Sequence, residues 1–198
     1  MRVNVPTTFV IFGATGALSK QKLFPALFDL YRKDLLPLKF RIIAFSRQLI
    51  ENKQFRETVR DYIKNGDSKL ARFLEHIEFF QGSYNNRQSF KQLAERIQEI
   101  DDTYGQCSNK LYHLAVTTDG FPDILPLVSK TGLSKPCSDT EGWARILVEK
   151  PFGKDGKTAE RLDLLFGKLF LEKQIYRIDH YLAKESVQNI LTFRSYNP

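Results

Sequence analysis

Residues 8–20 read TFVIFGATGALSK, which places a glycine turn directly after a short run of apolar and β-branched residues. The run predicts a buried strand over 8–12, and the leucines that follow from Leu23 recur at helical spacing. In a parallel β-α unit, the carboxyl end of the strand and the N-terminus of the helix face the same crevice. Backbone N–H groups at that place attract phosphate. The stretch therefore predicts the start of an α/β fold with a phosphate-binding turn.

The rest of the chain repeats the alternation of short β-branched or aromatic runs with amphipathic stretches. The predicted strands are 8–12, 40–45, 77–80, 111–116, 144–148 and 174–178. The predicted helices are 23–36, a second around 55–63, a short turn at 69–75, 90–100, 121–128, 158–170 and 184–193. Parallel neighbours need crossover connections, which place helices over the sheet. We therefore predict a doubly wound, Rossmann-like parallel sheet with helices on both faces, forming one dinucleotide-binding domain over 1–198.

The glycine turn favours a dinucleotide. Gly13 permits a sharp turn after the strand, and Gly16 removes a side chain that would hold a phosphate away from the backbone. The G-x-x-G spacing departs from the common G-x-G-x-x-G fingerprint. A tight strand-to-helix connection without a ligand is therefore an alternative.

The end of the second predicted strand indicates which dinucleotide binds. An NAD site usually has Asp or Glu there to accept a hydrogen bond from the ribose 2′-hydroxyl, whereas this chain has Ser46 and Arg47. A guanidinium offers a charge-assisted partner to a 2′-phosphate. We predict NADP over NAD, with Thr15 and Arg47 near the 2′-phosphate. A solvated arginine that opens a loop is the alternative.

Two later stretches end predicted strands at the same edge: EKPFG at 149–153 and RIDHYLAKE at 177–185. Lys150 precedes a proline, so its backbone is restricted and the peptide bond is open to the cis form. His180, Tyr181 and Lys184 supply three donors within five residues, which suits an anionic phosphate. A surface lysine and a polar helix cap are the alternatives.

Composition limits the remaining function classes. The net charge of +7 comes from dispersed residues, with neither a long basic run nor a Cys/His metal pattern, so neither nucleic-acid binding nor a metal site is favoured. No apolar stretch approaches the length of a membrane span, and no secretion signal is readable, so a cytoplasmic location is expected. The two cysteines, Cys107 and Cys137, are expected to be reduced thiols.

The stretches GATGALSKQKLFPAL, EKPFG and RIDHYLAKESVQN closely resemble signatures of the glucose-6-phosphate dehydrogenase family, in order from Thr8 to about Asn189. The resemblance implies an N-terminal NADP-binding domain that ends where the family's β+α substrate and dimerisation domain starts, a domain absent from this sequence. It also implies oxidation of glucose 6-phosphate at C1 to 6-phosphogluconolactone, with hydride transfer to NADP, the first step of the pentose phosphate pathway. Family-type homo-oligomerisation is in doubt without the second domain.

The resemblance also assigns roles to residues. It implies that His180, Tyr181 and Lys184 bind the sugar phosphate, that Lys150 positions substrate and cofactor, and that Asp179 orients the catalytic histidine. The implied cofactor-binding residues are Gly13, Thr15, Gly16, Leu18, Arg47 and Lys150. The family's general-base histidine lies downstream of this sequence, and we expect His76 and His113 to be structural.

Four positions depart from the family pattern. The family usually has Asp at Ala17, Gly at Ala183, and a proline pair at Thr117 and Thr118, so the departures fall at the phosphate turn, at the bend before Lys184 and at the nicotinamide-side loop. Two hypotheses remain: a dehydrogenase whose catalysis needs sequence not present here, and an NADP-binding module without turnover. A related sugar-phosphate or inositol dehydrogenase fits RIDHYL less well.

Overall fold

The structure is a computed structural model that describes residues 5–64, 66–137 and 141–179, together with Asn189 and Phe193. The strands are β1 (Thr7–Phe12), β2 (Phe40–Ser46), β3 (Ile77–Gln81), β4 (Asn109–Leu114), β5 (Ala144–Glu149) and β6 (Ile175–Ile178). The helices are α1 (Phe24–Arg32), α2 (Asn52–Tyr62), α3 (Leu70–Glu75), α4 (Arg87–Tyr104), α5 (Phe121–Lys130) and α6 (Gly156–Leu169).

The six strands form one sheet in the order β3-β2-β1-β4-β5-β6, and every neighbouring pair is parallel. This is the strand order of a dinucleotide-binding Rossmann sheet, in which the chain reverses direction across the sheet between β1 and β4. The predicted doubly wound fold is confirmed. The reversal opens a crevice at the carboxyl edge of the sheet, where ligands of this architecture bind.

Two buried clusters cover opposite faces of the sheet. On one face, α4, α5 and α6 pack over strands from β2 to β6, with Phe12 stacked on Phe90 at a ring-centroid distance of 5.7 Å. On the other face, α1, α2 and α3 cover β1 to β3 through aromatic contacts such as Phe24 with Phe55. Because these clusters bury most of the large apolar side chains, they fix the sheet on which the crevice is built.

The second face is covered less over β4 to β6 within the described residues. Leu111, His113 and Leu147 are only half-buried there. Arg145 fills part of this area, with its guanidinium carbon 4.1 Å from the Trp143 ring centroid and 5.0 Å from that of Tyr176. The aromatic rings hold the cation by their negative faces.

Several element boundaries differ from the sequence predictions. Helix α1 ends at Arg32 and not near residue 36, because Asp34 adopts a left-handed φ of 57°. A π-helical turn at Ser19–Leu23 precedes α1 and shifts the hydrogen bonding just before Pro25, which has no N–H to donate. Strand β4 begins and ends two residues earlier than predicted. The predicted helix over 184–193 lies outside the described residues apart from Asn189 and Phe193, which are helical.

The expectation of two reduced cysteines is wrong for this structure. Cys107 and Cys137, 30 residues apart in sequence, form a disulfide with their Cα atoms 6.0 Å apart. The two residues meet because the connections before β4 and before β5 both lie at the amino edge of the sheet. Across the described residues, no helix combines the length and apolar character that a membrane span requires.

Candidate functional site

The glycine turn lies where β1 reaches the carboxyl edge of the sheet. Gly13 has a φ of +86°, which side chains rarely adopt, and a Cβ at this position would collide with the backbone carbonyl oxygen of Ala115. A Cβ at Gly16 would lie 3.1 Å from the Gly13 carbonyl oxygen, which is tight but less severe. Gly13 therefore lets the turn pack directly against the end of β4, and neither glycine adds a side chain to the turn.

Hydrogen bonds hold the turn in place. The N–H groups of Gly13 and Ala14 both donate to the carbonyl oxygen of Phe45, at 3.1 and 3.2 Å, which ties the turn to the end of β2. The buried Ser19 hydroxyl donates to the Gly13 carbonyl oxygen at 2.9 Å. Helical backbone begins at Ala17. The N–H groups of its first turn, including that of Leu18, lack partners within the helix and suit an anion at this edge.

The end of β2 meets the glycine turn through side chains. The hydroxyls of Thr15 and Ser46 are 2.9 Å apart, and Arg47 follows as an exposed side chain. The guanidinium carbon of Arg47 lies 5.3 Å from the centroid of the Tyr84 ring. No carboxylate stands at the end of β2, the place where an NAD site usually has one. The Thr15–Ser46 hydrogen bond thus brings the glycine turn to the residue before Arg47, and the assignment of Thr15 and Arg47 to a 2′-phosphate stays a prediction.

Tyr84 was missed by the sequence analysis. It lies three residues beyond the end of β3, at the same edge as Arg47, and half-burial raises the pKa of its hydroxyl. The available signal was its position after the third strand of a parallel sheet, which brings it beside the second strand's end. Its ring gives the flexible arginine a surface to lie on, which orients the cation.

The ends of β5 and β6 form the other side of the crevice. Lys150 precedes Pro151 through a cis peptide bond, and its Nζ is 3.1 Å from Oδ2 of Asp179. The backbone N–H of Lys150 donates to the carbonyl oxygen of Ile178 at 3.1 Å. The structure therefore brings the two predicted residues Lys150 and Asp179 together. The predicted sugar-phosphate residues His180, Tyr181 and Lys184 lie outside the described residues.

The two described histidines have different surroundings. His76 has its Nδ1 3.1 Å from the carbonyl oxygen of Phe40, and its ring stacks on Phe40 at 4.1 Å. His113 lies near the carboxyl end of β4, with Nε2 3.6 Å from Oε1 of Glu149. Burial lowers the pKa of His113 to about 4, so the ring is neutral at neutral pH. Its Nδ1 is buried and has no hydrogen-bond partner among the described residues. Their packing is consistent with structural roles for both.

The departures from the family pattern fall on two described places. Ala17 is exposed in the first helical turn after the glycines. Thr117 precedes a 3-10 turn over Thr118–Gly120, which leads into α5. Ala183 lies outside the described residues. Neither threonine interrupts the connection that follows β4.

Comparisons with known proteins agree with this geometry. A sequence model described as "Glucose-6-phosphate dehydrogenase, NAD binding domain" matches residues 10–189. The chain belongs to the glucose-6-phosphate dehydrogenase family. It is 40% identical over 200 residues to the cytoplasmic glucose-6-phosphate 1-dehydrogenase 6 of Arabidopsis thaliana, covering 96% of this chain and 38% of that protein. It is 41% identical to the glucose-6-phosphate 1-dehydrogenase of Aggregatibacter actinomycetemcomitans, with coverages of 95% and 38%.

Solved structures lead to the same family. A glucose-6-phosphate dehydrogenase in complex with its substrate glucose-6-phosphate superimposes with a TM-score of 0.88 at 34% identity, over 100% of this chain and 41% of that chain. The enzyme from Mycobacterium avium gives a TM-score of 0.74 at 26% identity, over 93% and 41%. The matched part is the dinucleotide-binding domain of glucose-6-phosphate dehydrogenase, whose cofactor is NADP. This chain spans about 38% of the length of the curated relatives above.

Proposed function

We propose that this chain is the NADP-binding part of a glucose-6-phosphate dehydrogenase, which oxidises glucose 6-phosphate to 6-phosphogluconolactone. The observation that carries the proposal is the junction of the glycine turn with the end of β2, where Thr15 and Ser46 touch and Arg47 stands in place of a carboxylate. The cytoplasmic isoforms among the relatives support a cytoplasmic location.

The residues present fit NADP at this junction. A Cβ at Gly13 would collide with the Ala115 carbonyl oxygen, so glycine lets the turn pack against the end of β4. The helical backbone that starts at Ala17 then lies at the carboxyl edge, where the N–H groups of its first turn can hold a pyrophosphate. We assign the pyrophosphate to Gly13, Gly16 and the N–H of Leu18, and the 2′-phosphate to Thr15 and Arg47. The bound cofactor accepts the hydride that leaves C1 of the sugar.

Lys150 and Asp179 are assigned to the substrate side. The Lys150 ammonium is held by the Asp179 carboxylate and remains half exposed, so it can donate to a substrate oxygen at the crevice. His180, Tyr181 and Lys184 follow directly on Asp179 in sequence and are assigned to the sugar phosphate. Asp179 is also assigned the orientation of the catalytic histidine.

The hydroxyl proton at C1 must depart to a base as the hydride leaves. His76 stacks on Phe40 and approaches the Phe40 carbonyl oxygen, and His113 lies inside the sheet beside Glu149. Neither described histidine opens freely onto the crevice. We therefore assign the base to the part of the enzyme that lies beyond this domain in the relatives.

Titration with NADP and NAD tests the cofactor assignment. We expect NADP to bind at least about tenfold tighter than NAD, since a charge-assisted contact to the 2′-phosphate contributes about 1.5–3 kcal/mol. Arg47→Ala should weaken NADP binding about tenfold or more and change NAD binding little. Arg60→Ala, which removes the same charge from an exposed position on α2, is the matched control. Equal affinities for both cofactors that Arg47→Ala leaves unchanged would refute the assignment.

Turnover is tested separately. We expect the 198-residue chain to bind NADP and to produce little or no reduced nicotinamide absorbance with glucose 6-phosphate. The same chain joined to the remaining domain of a relative should recover activity. Robust turnover by the chain alone would refute the assignment of the base to another part of the enzyme.

A further inference from the structure

Four side chains form a compact cluster at the amino edge of the sheet, which we call the thiol cluster: Asp101, Cys107, Lys110 and Cys137. Asp101 comes from the last turns of α4, Cys107 and Lys110 flank the start of β4, and Cys137 lies beyond α5. A carboxylate oxygen of Asp101 and the Sγ atoms of the two cysteines all lie within 4.8 Å of one another. The crevice is at the opposite edge of the sheet, so the dinucleotide site does not use the cluster.

A buried ion pair supports the cluster. Lys110 Nζ lies 2.8 Å from Oδ2 of Asp101, and their side chains are only 7% and 3% exposed. The backbone N–H of Ser108 donates to the other carboxylate oxygen at 3.0 Å. The same Lys110 ammonium donates to Sγ of Cys137 at 2.8 Å. Asp101 therefore holds the Lys110 ammonium in place, and the same ammonium donates to the Cys137 sulfur.

The ammonium argues against a metal ion at this place. Asp101 Oδ2 already accepts from Lys110, and a second cation bound to Cys137 would lie against the Lys110 charge. The Lys110 ammonium lies closer to the Cys137 sulfur than Asp101 Oδ2 does, at 2.8 against 3.3 Å, and a cation beside a cysteine sulfur favours its thiolate. Cys137 is exposed, and a second cysteine, Cys107, lies beside it.

We propose that Cys107 and Cys137 form a reversible thiol–disulfide exchange site, in which Cys137 is the attacking sulfur and a low-molecular-weight disulfide is the co-reactant. Cys137 is exposed, whereas Cys107 is half-buried. Cys137 also lines a cavity of about 220 Å³, which gives a small disulfide a route to the sulfur. Cys107 is the disulfide partner of Cys137 and is therefore the resolving cysteine.

The exchange balances in two steps. The Cys137 thiolate attacks one sulfur of the small disulfide, forms a mixed disulfide and releases one small thiolate. The Cys107 thiolate then attacks the Cys137 sulfur, forms the protein disulfide and releases the second small thiolate. The protons from the two protein thiols end on the two released thiolates. Two protein thiols are thus oxidised by two electrons, and one small disulfide is reduced to two thiols.

Charges around Cys137 favour its thiolate. Lys110 is the nearest cation, and Lys135 lines the same cavity. Asp101 opposes them, but its Oδ2 is 3.3 Å from the sulfur, farther than the ammonium, and its charge is shared with Lys110 and with the Ser108 N–H. Tyr112 also lines the cavity, and burial raises the pKa of its hydroxyl, so it stays neutral.

Exchange with glutathione disulfide tests the proposal on the reduced 198-residue chain. Mass spectrometry should show loss of two free thiols and no retained glutathione at the end of the reaction. Cys107→Ser should trap one glutathionyl group on Cys137, and Cys137→Ser should react at least tenfold more slowly than Cys107→Ser. Stable glutathionylation of Cys107 in the unmodified chain, or equal rates for the two variants, would refute the assigned order.

The role of Lys110 is tested in the Cys107→Ser background. Cys137 should be alkylated by iodoacetamide at neutral pH at least about tenfold faster in the folded chain than in the urea-unfolded chain. Lys110→Met should move the midpoint of the alkylation pH profile upward, Lys110→Arg should restore most of the rate, and Asp101→Asn should move the midpoint downward.

Because Lys110→Met leaves a buried carboxylate unpaired and can unfold the chain, Lys135→Met is measured beside it. This variant leaves the buried pair intact and should give a smaller upward shift. A folded chain that reacts no faster than the unfolded one, or variants at Lys110 and Asp101 that move the profile in the same direction, would overturn the proposal.

Discussion

The two edges of the sheet position polar and charged groups with different atoms: backbone atoms at the carboxyl edge and side chains at the amino edge. At the carboxyl edge, backbone hydrogen bonds from Gly13 and Ala14 to Phe45 hold the glycine turn, and the N–H groups of the helical turn that follows suit an anion. At the amino edge, the buried side chains of Asp101 and Lys110 neutralise one another. The first edge therefore depends on the absence of side chains, and the second depends on their exact pairing.

This difference predicts how substitutions act. A change at the carboxyl edge should alter ligand binding and the turn geometry together, because the glycine turn leads directly into the helical turn whose N–H groups suit an anion. A change at the amino edge should alter stability or thiol reactivity and leave dinucleotide binding nearly unchanged. Both edges contain a glycine with positive φ, and this gives the sharpest test of the contrast.

The largest effect is expected for Gly13→Ala. The new Cβ would collide with the Ala115 carbonyl oxygen, and a backbone φ of +86° is unfavourable for alanine. The turn must therefore move. We expect a loss of at least about 3 kcal/mol in the free energy of unfolding and at least a hundredfold weaker NADP binding. Thermal denaturation and NADP titration measure both effects.

Gly105→Ala is the matched control at the amino edge. Gly105 has a φ of +67° after α4, but no atom of the part of the chain that the structure describes lies within 4 Å of the position of a new Cβ. It should show only the backbone strain of about 1–2 kcal/mol and unchanged NADP affinity. Gly16→Ala, with its milder contact at 3.1 Å, should weaken binding while the chain stays folded. Equal NADP affinities for Gly13→Ala and Gly105→Ala would contradict the proposed difference between the two edges.

His113 supplies the second test, because it is a buried ionisable group whose carboxylate neighbour is farther away: Nε2 lies 3.6 Å from Oε1 of Glu149, whereas Lys110 Nζ lies 2.8 Å from Oδ2 of Asp101. Burial lowers its pKa from 6.5 to about 4, so protonation favours the unfolded chain. Its contribution to stability is complete above pH 6.5 and is lost as the pH falls toward 4. The loss is on the order of 3 kcal/mol.

Chemical denaturation between pH 7.5 and 4 measures this loss, and His113→Gln should flatten the pH dependence of the free energy of unfolding. His76→Gln is the matched control. The pKa of His76 is also lowered by burial, but that side chain is only half-buried, so its replacement should flatten the curve less. Parallel curves for the unmodified chain and His113→Gln would show that another group causes the acid sensitivity.

The two edges also differ in how much of their structure the sequence predicts. The turn between β1 and α1 was predictable because Gly13 and Gly16 act within a few residues, and Arg47 was predictable because the second strand of such a fold has a known role. Their assigned binding roles stay predictions. Tyr84 was missed because its importance comes from its distance to Arg47, which only the pairing of β2 with β3 creates.

The sequence predicted the amino edge least accurately. Cys107 and Cys137 are 30 residues apart, and neither has a local sequence pattern that indicates a partner. Lys110 and Asp101 lie on different elements, and an isolated lysine in a strand pattern does not reveal burial beside a carboxylate. Such clusters depend on where connections of the folded sheet meet, so periodicity and composition do not find them.

Tyr112→Phe should give the smallest of these effects and tests the amino edge alone. The buried hydroxyl donates to the carbonyl oxygen of Leu133 at 2.7 Å, which fixes the chain that follows α5. Removing it leaves that carbonyl oxygen without this partner, so we expect a loss of about 1–2 kcal/mol in the free energy of unfolding. NADP affinity should not change, because the Gly13 turn lies at the other edge. Tyr62→Phe, whose side chain is 39% exposed, should cost much less. If Tyr112→Phe weakened NADP binding as strongly as it lowered stability, the two edges would be coupled through β4, and their separate construction would not imply separate function.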